Sequence, residues 1–215
     1  MSFLDRTDAG KRLAKALMRY RGDKPIILAL PRGGVPVALE VAKALNAPLD
    51  LLIVRKIGVP QQPELAAGAV VDGKTPIVVR NEDVIRMARL SEAEFSRIKD
   101  AEINEIARRR RRYLGQRPQP DLKGRMVIVV DDGVATGATM RAALRALRLR
   151  HPRRLVLAIP VAPVEAMEAL RGDVDQIECL ESHVSFGAIG NFYSDFHQVS
   201  DDEVIAALDE AGASG

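Results

Sequence analysis

Met126-Val-Ile-Val-Val-Asp-Asp-Gly-Val-Ala-Thr-Gly-Ala-Thr-Met140 is the stretch around which the rest of the chain is arranged. Five apolar residues run into two adjacent acids. A short Gly/Ala/Thr loop comes next, and a helix-forming run opens at Arg141 (Arg141-Ala-Ala-Leu-Arg-Ala-Leu147). The pattern predicts a buried strand, a phosphate-sized loop and a helix N-terminus, with a carboxylate pair at the strand's mouth. Backbone N–H groups of Thr136, Gly137, Ala138 and Thr139 are placed to converge on an anion where the helix begins. The two carboxylates would repel a second phosphate, so they suit hydroxyls such as a ribose diol. A phosphate cradle beside a diol clamp points to a sugar phosphate.

Val127-Ile-Val-Val-Asp-Asp-Gly-Val-Ala-Thr-Gly-Ala-Thr139 resembles the 5-phosphoribosyl-1-pyrophosphate (PRPP) signature of type I phosphoribosyltransferases. That signature is four apolar residues, two acids, then Thr-Gly-small-Thr. Its fixed order makes it far more specific than a lone glycine loop. An ordinary strand-turn-helix has no need of Asp-Asp before the turn.

Upstream, Thr7 or Asp8 is a candidate cap for a first helix reaching Arg21. Pro25 to Leu30 is a short, fully apolar run, as expected of a strand covered on both faces. It empties into Pro31-Arg-Gly-Gly34, and a helix is expected from about Val35 to Leu45. Pro48 to Val54 reads as a second buried strand ending in Arg55-Lys56, with a loop marked by Gly58, Pro60 and Pro63. Glu64 to Asp72 and Thr75 to Arg80 read as an antiparallel pair turning at Asp72-Gly73. Asn81 to Leu90 and Ser91 to about Leu114 read as helices, the second with a capping-box start at Ser91-x-x-Glu94. Beyond the central motif come a strand at about Leu155 to Val161, a helix from Pro163 to Leu170 and a strand at Gln176 to Leu180. A loop-like aromatic tail runs from His183 to Ser200, and a closing helix from Asp201 to Ala211.

Alternating strands and helices predict an α/β fold, a doubly wound and mainly parallel sheet with helices on both faces. The expected organisation is one domain over residues 1–215. It would carry an inserted hairpin and helical segment at about 64–120 and a hood-like tail at about 182–215. Ligands bind such sheets at the carboxyl ends of the strands. Pro31-Arg-Gly-Gly34, Arg55-Lys56, Asp131-Asp132 and the aromatic tail each come directly after a predicted strand, so the suggestive chemistry falls on one edge.

The resemblance implies a role for each group. Ala135, Thr136, Gly137, Ala138 and Thr139 would take the 5′-phosphate of PRPP. Asp131 and Asp132 would accept hydrogen bonds from the ribose hydroxyls and stabilise positive charge on the sugar, with Arg32 as the third catalytic candidate. Arg32, Gly33 and Gly34 would form the pyrophosphate loop, which in relatives holds a strained peptide bond, here Pro31–Arg32. As a plain alternative, Arg-Gly-Gly is a polar strand-to-helix turn. Arg55 and Lys56 are further pyrophosphate candidates, or simply a solvated cationic pair. Mg²⁺ is implied as the cofactor, carried mainly by PRPP rather than in an all-protein cage. Phe186 is the first choice for stacking on a nucleobase, while Phe186, Phe192, Tyr193 and Phe196 would otherwise form a small satellite core. Hypoxanthine-guanine enzymes carry a third acid where this chain has Ala135, which argues against a mechanism using that acid. Adenine-type enzymes have Ala there, but one residue does not assign the substrate.

Composition sets the outer limits. Apolar content is 47% and charged content 28%, ordinary for a globular protein. Lys+Arg total 32 against 29 Asp+Glu, a net charge of +3 that suits an anionic metabolite and gives no reason to expect nucleic acid. The single Cys179 has no intrachain partner and sits in an apolar run, as a core thiol does. No apolar run is long enough for a membrane span and the first residues lack a signal-peptide core, so cytoplasm is the expected location. The expected partners are PRPP and a nucleobase-like small molecule, and a homodimer fits the reading. Arg108 to Arg112 is a run of consecutive arginines on a predicted helix. Successive helical positions turn ~100°, so the run surrounds the helix and does not make one face. A lid at Tyr113 to Pro118 would be its functional reading. The rival to an enzyme that moves phosphoribose onto a base is a PRPP-sensing regulator of the same fold that binds RNA or DNA through these arginines. A kinase is disfavoured because no P-loop signature is present.

Overall fold

The computed structural model describes residues 2–60 and 62–213; Met1, Ser214 and Gly215, at the ends of the expected domain, lie outside them. In chain order the elements are α1 (Arg6–Leu17), β1 (Ile26–Ala29), α2 (Gly34–Leu45), β2 (Leu49–Leu51), β3 (Val54–Val59), β4 (Gln62–Val71) and β5 (Ile77–Arg80). Then come α3 (Glu82–Met87), α4 (Glu92–Leu114), β6 (Met126–Val130), α5 (Ala138–Arg148), β7 (Arg154–Pro163), α6 (Val164–Leu170), β8 (Gln176–His183) and α7 (Asp201–Ala213).

The core is a parallel sheet in the order β2-β1-β6-β7-β8. Successive strand residues point to opposite faces. Ile27, Ala29, Ile128 and Val130 therefore pack with α1, α2 and α7, while Ile26, Leu28, Val127 and Val129 pack with α5. Every residue of β1 and β6 is buried, which explains why both read as unbroken apolar runs. The doubly wound, mainly parallel sheet expected from the sequence is the observed fold.

Three expectations need correction. Asp5, not Thr7 or Asp8, caps α1: its Oδ1 accepts the Asp8 N–H at 2.7 Å, and the helix gives way to a 3₁₀ turn at Met18 rather than reaching Arg21 as one helix. The expected strand from Pro48 to Val54 is two strands in two sheets. Only Leu49–Leu51 joins the parallel sheet; from Val54 the chain enters a separate antiparallel sheet, β3-β4-β5. Arg55 and Lys56 thus lie inside β3, opposite Val70 and Ala69, and not at the mouth of a parallel strand. Tyr113 to Pro118, the lid alternative to plain solvation of the arginine run, starts in the core. Tyr113 and Leu114 are buried, and Arg117 donates to the Leu208 carbonyl at 3.0 Å and pairs with Asp209 at 2.7 Å.

α4 joins the two sheets. Ser91 and Glu94 form the capping box that the sequence announces. The arginine run radiates as helical geometry requires: Arg108 and Arg109 pair with Glu105, Arg110 with Asp50 and Asp72, and Arg112 with Asp201.

Candidate functional site

The ends of β1 and β6 are neighbours, with the Leu30 N–H donating to the Val130 carbonyl at 3.0 Å. The loops leaving these two strands are therefore brought together. Pro31-Arg-Gly-Gly34 turns directly into α2, and its Pro31–Arg32 peptide bond is cis, the bond singled out from the sequence. This loop lies against the acid pair. A Cβ on Gly33 would sit 2.1 Å from Asp132 Oδ2, and one on Gly34 would sit 2.9 Å from the Asp131 Cα. Both positions need glycine because a backbone and a carboxylate share the space. Gly33→Ala is expected to cost ~1–3 kcal/mol of stability by overpacking, read as a lowered midpoint in urea unfolding. An unchanged midpoint would show that Asp132 can swing aside.

Asp132 is 7% exposed and is held from several sides. Its Oδ2 accepts from Arg6 Nε at 2.8 Å, its carbonyl accepts from the Tyr193 hydroxyl at 2.6 Å, and its N–H donates to Asp131 Oδ1 at 2.9 Å. Burial raises the Asp132 carboxyl above its ordinary range, while the Arg6 guanidinium pulls it back. Asp131 is pushed up well above that range, first by burial and then by the charge of Asp132. Burial also raises the Tyr193 phenol, which keeps it a donor.

The loop after the acids is open. Ala135, Thr136, Ala138 and Thr139 are exposed, and Gly137 takes φ +75°, a left-handed conformation that favours glycine. No side chain caps α5, so its first N–H groups are available to an anion. Thr136 to Thr139 also form one end of a cavity of about 540 Å³ that runs between α5 and the antiparallel sheet. Lys56, Arg80, Arg141 and Arg145 line it together with Glu82 and Asp83, so cations outnumber acids.

The predicted residues do not all converge. Lys56 faces this cavity, but Arg55 projects the other way and pairs with Glu102 of α4 at 2.6 Å, as alternation along a strand demands. Arg32 is next to the acids in the chain's fold, with its Nη1 3.5 Å from Asp201 Oδ1. That Asp201 oxygen also accepts from the Tyr113 hydroxyl at 2.6 Å, which is the main cause of its lowered pKa. Phe186 is half-buried and stacks on Phe192, with ring centroids 5.0 Å apart, inside a cluster built around Phe3 and Tyr193. Ile189, like Tyr193, reaches the central motif: a Cβ on Gly133 would lie 2.7 Å from Ile189 Cγ2. Cys179 is partly buried, and burial raises its thiol to about 11, so it is protonated at neutral pH and is no nucleophile.

Sequence reasoning missed Arg6, Ile189 and Asp201. No sequence signal marked Arg6, whose burial and place in the helix are facts of the fold. It is the first residue of a helix, where the dipole disfavours a cation, so a buried arginine there needs an anionic partner from elsewhere in the chain.

Comparison with known proteins bears on the family and the fold. The family described as phosphoribosyl transferase domain matches residues 3–195. Two Mycobacterium tuberculosis proteins, from strains CDC 1551 / Oshkosh and ATCC 25618 / H37Rv, carry the provisional name phosphoribosyl transferase. Each is 46% identical to this chain over 209 residues, 97% of it. The chain spans 47% of the length of these curated relatives. The crystal structure of TT1426 from Thermus thermophilus superposes with a TM-score of 0.85 at 42% identity, covering 98% of this chain and 99% of that one. Among the described residues no helix is long and apolar enough to cross a membrane. The family match runs through both glycine loops, the acid pair and most of the aromatic tail, and the chain belongs to the phosphoribosyl transferase domain family.

Proposed function

We propose that the protein transfers the phosphoribosyl group of PRPP to a nitrogenous base, releasing pyrophosphate with the help of Mg²⁺. The observation that carries this reading is the packing of Gly33 and Gly34 onto Asp131 and Asp132, beside the open loop at Thr136 to Thr139. A pyrophosphate loop, a diol clamp and a phosphate cradle are then in the order in which PRPP carries its three groups. The exposed N–H groups of α5 would hold the 5′-phosphate, where charge-assisted hydrogen bonds of ~1.5–3 kcal/mol each outweigh ~0.3–1 kcal/mol from the helix dipole. Arg32 and the Gly33-Gly34 backbone would meet the pyrophosphate, and Asp131 and Asp132 the ribose hydroxyls.

In the reaction a base nitrogen forms a bond to C1 of the ribose as the bond from C1 to the pyrophosphate oxygen breaks. Pyrophosphate leaves with the electron pair, and the base nitrogen gives up its proton. The carboxylates stabilise positive charge on the sugar during this exchange, so catalysis is mostly orientation and electrostatics. Among the described residues no group of three metal-ligating side chains occurs. An Mg²⁺ would be held mainly by the pyrophosphate oxygens of PRPP, where it would neutralise the leaving group's charge.

The regulator reading finds little support. Arg108, Arg109, Arg110 and Arg112 are each engaged by a carboxylate, and so do not form a free basic stripe. The test is a panel of nucleobases with PRPP and Mg²⁺, monitored for pyrophosphate release. Release with one base class is expected. No release with any base, together with salt-dependent nucleic-acid binding, would favour the regulator.

A further inference from the structure

We propose that Arg6 is a positioning residue for the acid pair, clasping Asp132 so that the remaining carboxylate oxygens are set to receive the ribose hydroxyls. The inference rests on the PRPP reading above and adds to it a residue outside every motif of the sequence.

The clasp is built from the two ends of the chain. Arg6 is 7% exposed at the start of α1. Its Nε donates to Asp132 Oδ2 at 2.8 Å and its Nη1 to the His197 carbonyl at 2.8 Å. Its guanidinium carbon lies 3.9 Å from the centre of the Phe196 ring. Phe196 in turn packs on Tyr193 at 5.0 Å, and the Tyr193 hydroxyl holds the Asp132 carbonyl. Asp132 is thus fixed at its carboxylate by the N-terminal helix and at its backbone by the aromatic tail. Phe196 forms one wall for a buried cation, a contact worth more when desolvated than on a surface.

The atom that Arg6 grips is significant. Oδ2 is also the atom nearest to where Gly33 would carry a side chain. It is nested between the guanidinium and the pyrophosphate loop, and this fixes the carboxylate's rotation. The partly exposed Asp131, beside this fixed carboxylate, is then left for hydroxyl donors. The guanidinium also offsets the repulsion between two adjacent acids, which favours both as acceptors. A planar fork meeting a carboxylate, a carbonyl and a ring at once is specific to arginine; a lysine ammonium keeps the charge but cannot reproduce that geometry.

A purely structural ion pair would affect stability alone, so the test reads ligand binding in the folded full chain. Titration calorimetry with PRPP and Mg²⁺ would compare wild type, Arg6→Met, Arg6→Lys and Arg6→Ala. Arg6→Met is expected to weaken PRPP binding by roughly 30-fold, within the range for one charge-assisted hydrogen bond. Arg6→Lys, which retains the charge and so protects the fold, is expected to weaken it by about 10-fold. Millimolar guanidinium should restore part of the affinity of Arg6→Ala and leave wild type unchanged. Binding by Arg6→Lys within about threefold of wild type, with no guanidinium rescue, overturns the proposal even if Arg6→Met fails to fold. No PRPP binding by wild type overturns the proposed function as well, whereas wild-type binding with indifferent Arg6 variants overturns this inference alone.

Discussion

Asp131→Asn combined with Asp132→Asn is expected to lower PRPP-dependent pyrophosphate release by roughly 10²–10⁴-fold while the protein stays folded. Two hydrogen bonds to charged acceptors, at ~1.5–3 kcal/mol each, make ~3–6 kcal/mol, and each ~1.4 kcal/mol is a factor of ten in rate. The stability side runs the other way. Both carboxyls have folded pKa values raised above the unfolded ones. Such groups bind protons more tightly when folded, so stability falls as pH rises from the unfolded pKa through the folded one. At neutral pH the ionised pair is then a net cost, which asparagines remove while still accepting from Arg6 Nε. Loss of the anion beside buried Arg6 works against that gain, so calorimetric unfolding should give a melting temperature close to wild type, beside the lost turnover. Unchanged turnover would remove these residues from the mechanism. A collapsed melting temperature would mean that the pair is structural.

The largest effect on stability is expected far from the site, at Arg110. Its side chain is 14% exposed and bridges two carboxylates, Asp50 at the 2.9 Å contact and Asp72 at 2.7 Å. Asp50 belongs to β2 of the parallel sheet, and Asp72 comes just after β4 of the antiparallel one, so a single guanidinium pins the insertion to the core. Gln119 adds a 2.8 Å hydrogen bond to the same Asp72, and the Arg150 guanidinium donates to its carbonyl. Arg110→Met would leave two buried acids without their cation, at a cost of ~3–5 kcal/mol. Burial already raises the Asp50 carboxyl despite Arg110. The loss in Arg110→Met should therefore be greatest at neutral pH and shrink as acid protonates Asp50. Urea unfolding at pH 7 and pH 4 checks both points. Adding Asp50→Asn and Asp72→Asn to Arg110→Met should recover much of the loss, and equal midpoints for Arg110→Met and wild type would sink the account.

Whether a feature could be read from the chain alone depended on whether its physics was local. β1, β6 and the turn into α5 were legible because full burial gives unbroken apolar runs and because the acid pair and the glycine come at fixed spacing. The capping box of α4 was legible for the same reason. The break after Leu51 was not: an apolar run looks alike whether its residues belong to one sheet or two, and only the partner strand decides. That hid the true place of Arg55, which alternation within β3 sends to Glu102. Phe186 stood out by composition, but its stacking on Phe192 is a tertiary fact. Arg6 lay beyond reach as a named partner of Asp132, since 126 positions separate the two.

That separation bears on the order in which the molecule comes together. Arg6 meets Asp132 across 126 positions and the His197 carbonyl across 191. Contacts of such range close large loops, so their entropy must be met by structure already formed between them. During synthesis the sheet can grow strand by strand, but the acid pair lacks its clasp until the segment around His197 has left the ribosome. Chains interrupted before that point would hold the loop at Thr136 to Thr139 and both acids yet lack the Tyr193 and His197 contacts of the clasp. A signature that is contiguous in the sequence thus depends, for its finished shape, on residues made well before it and well after it.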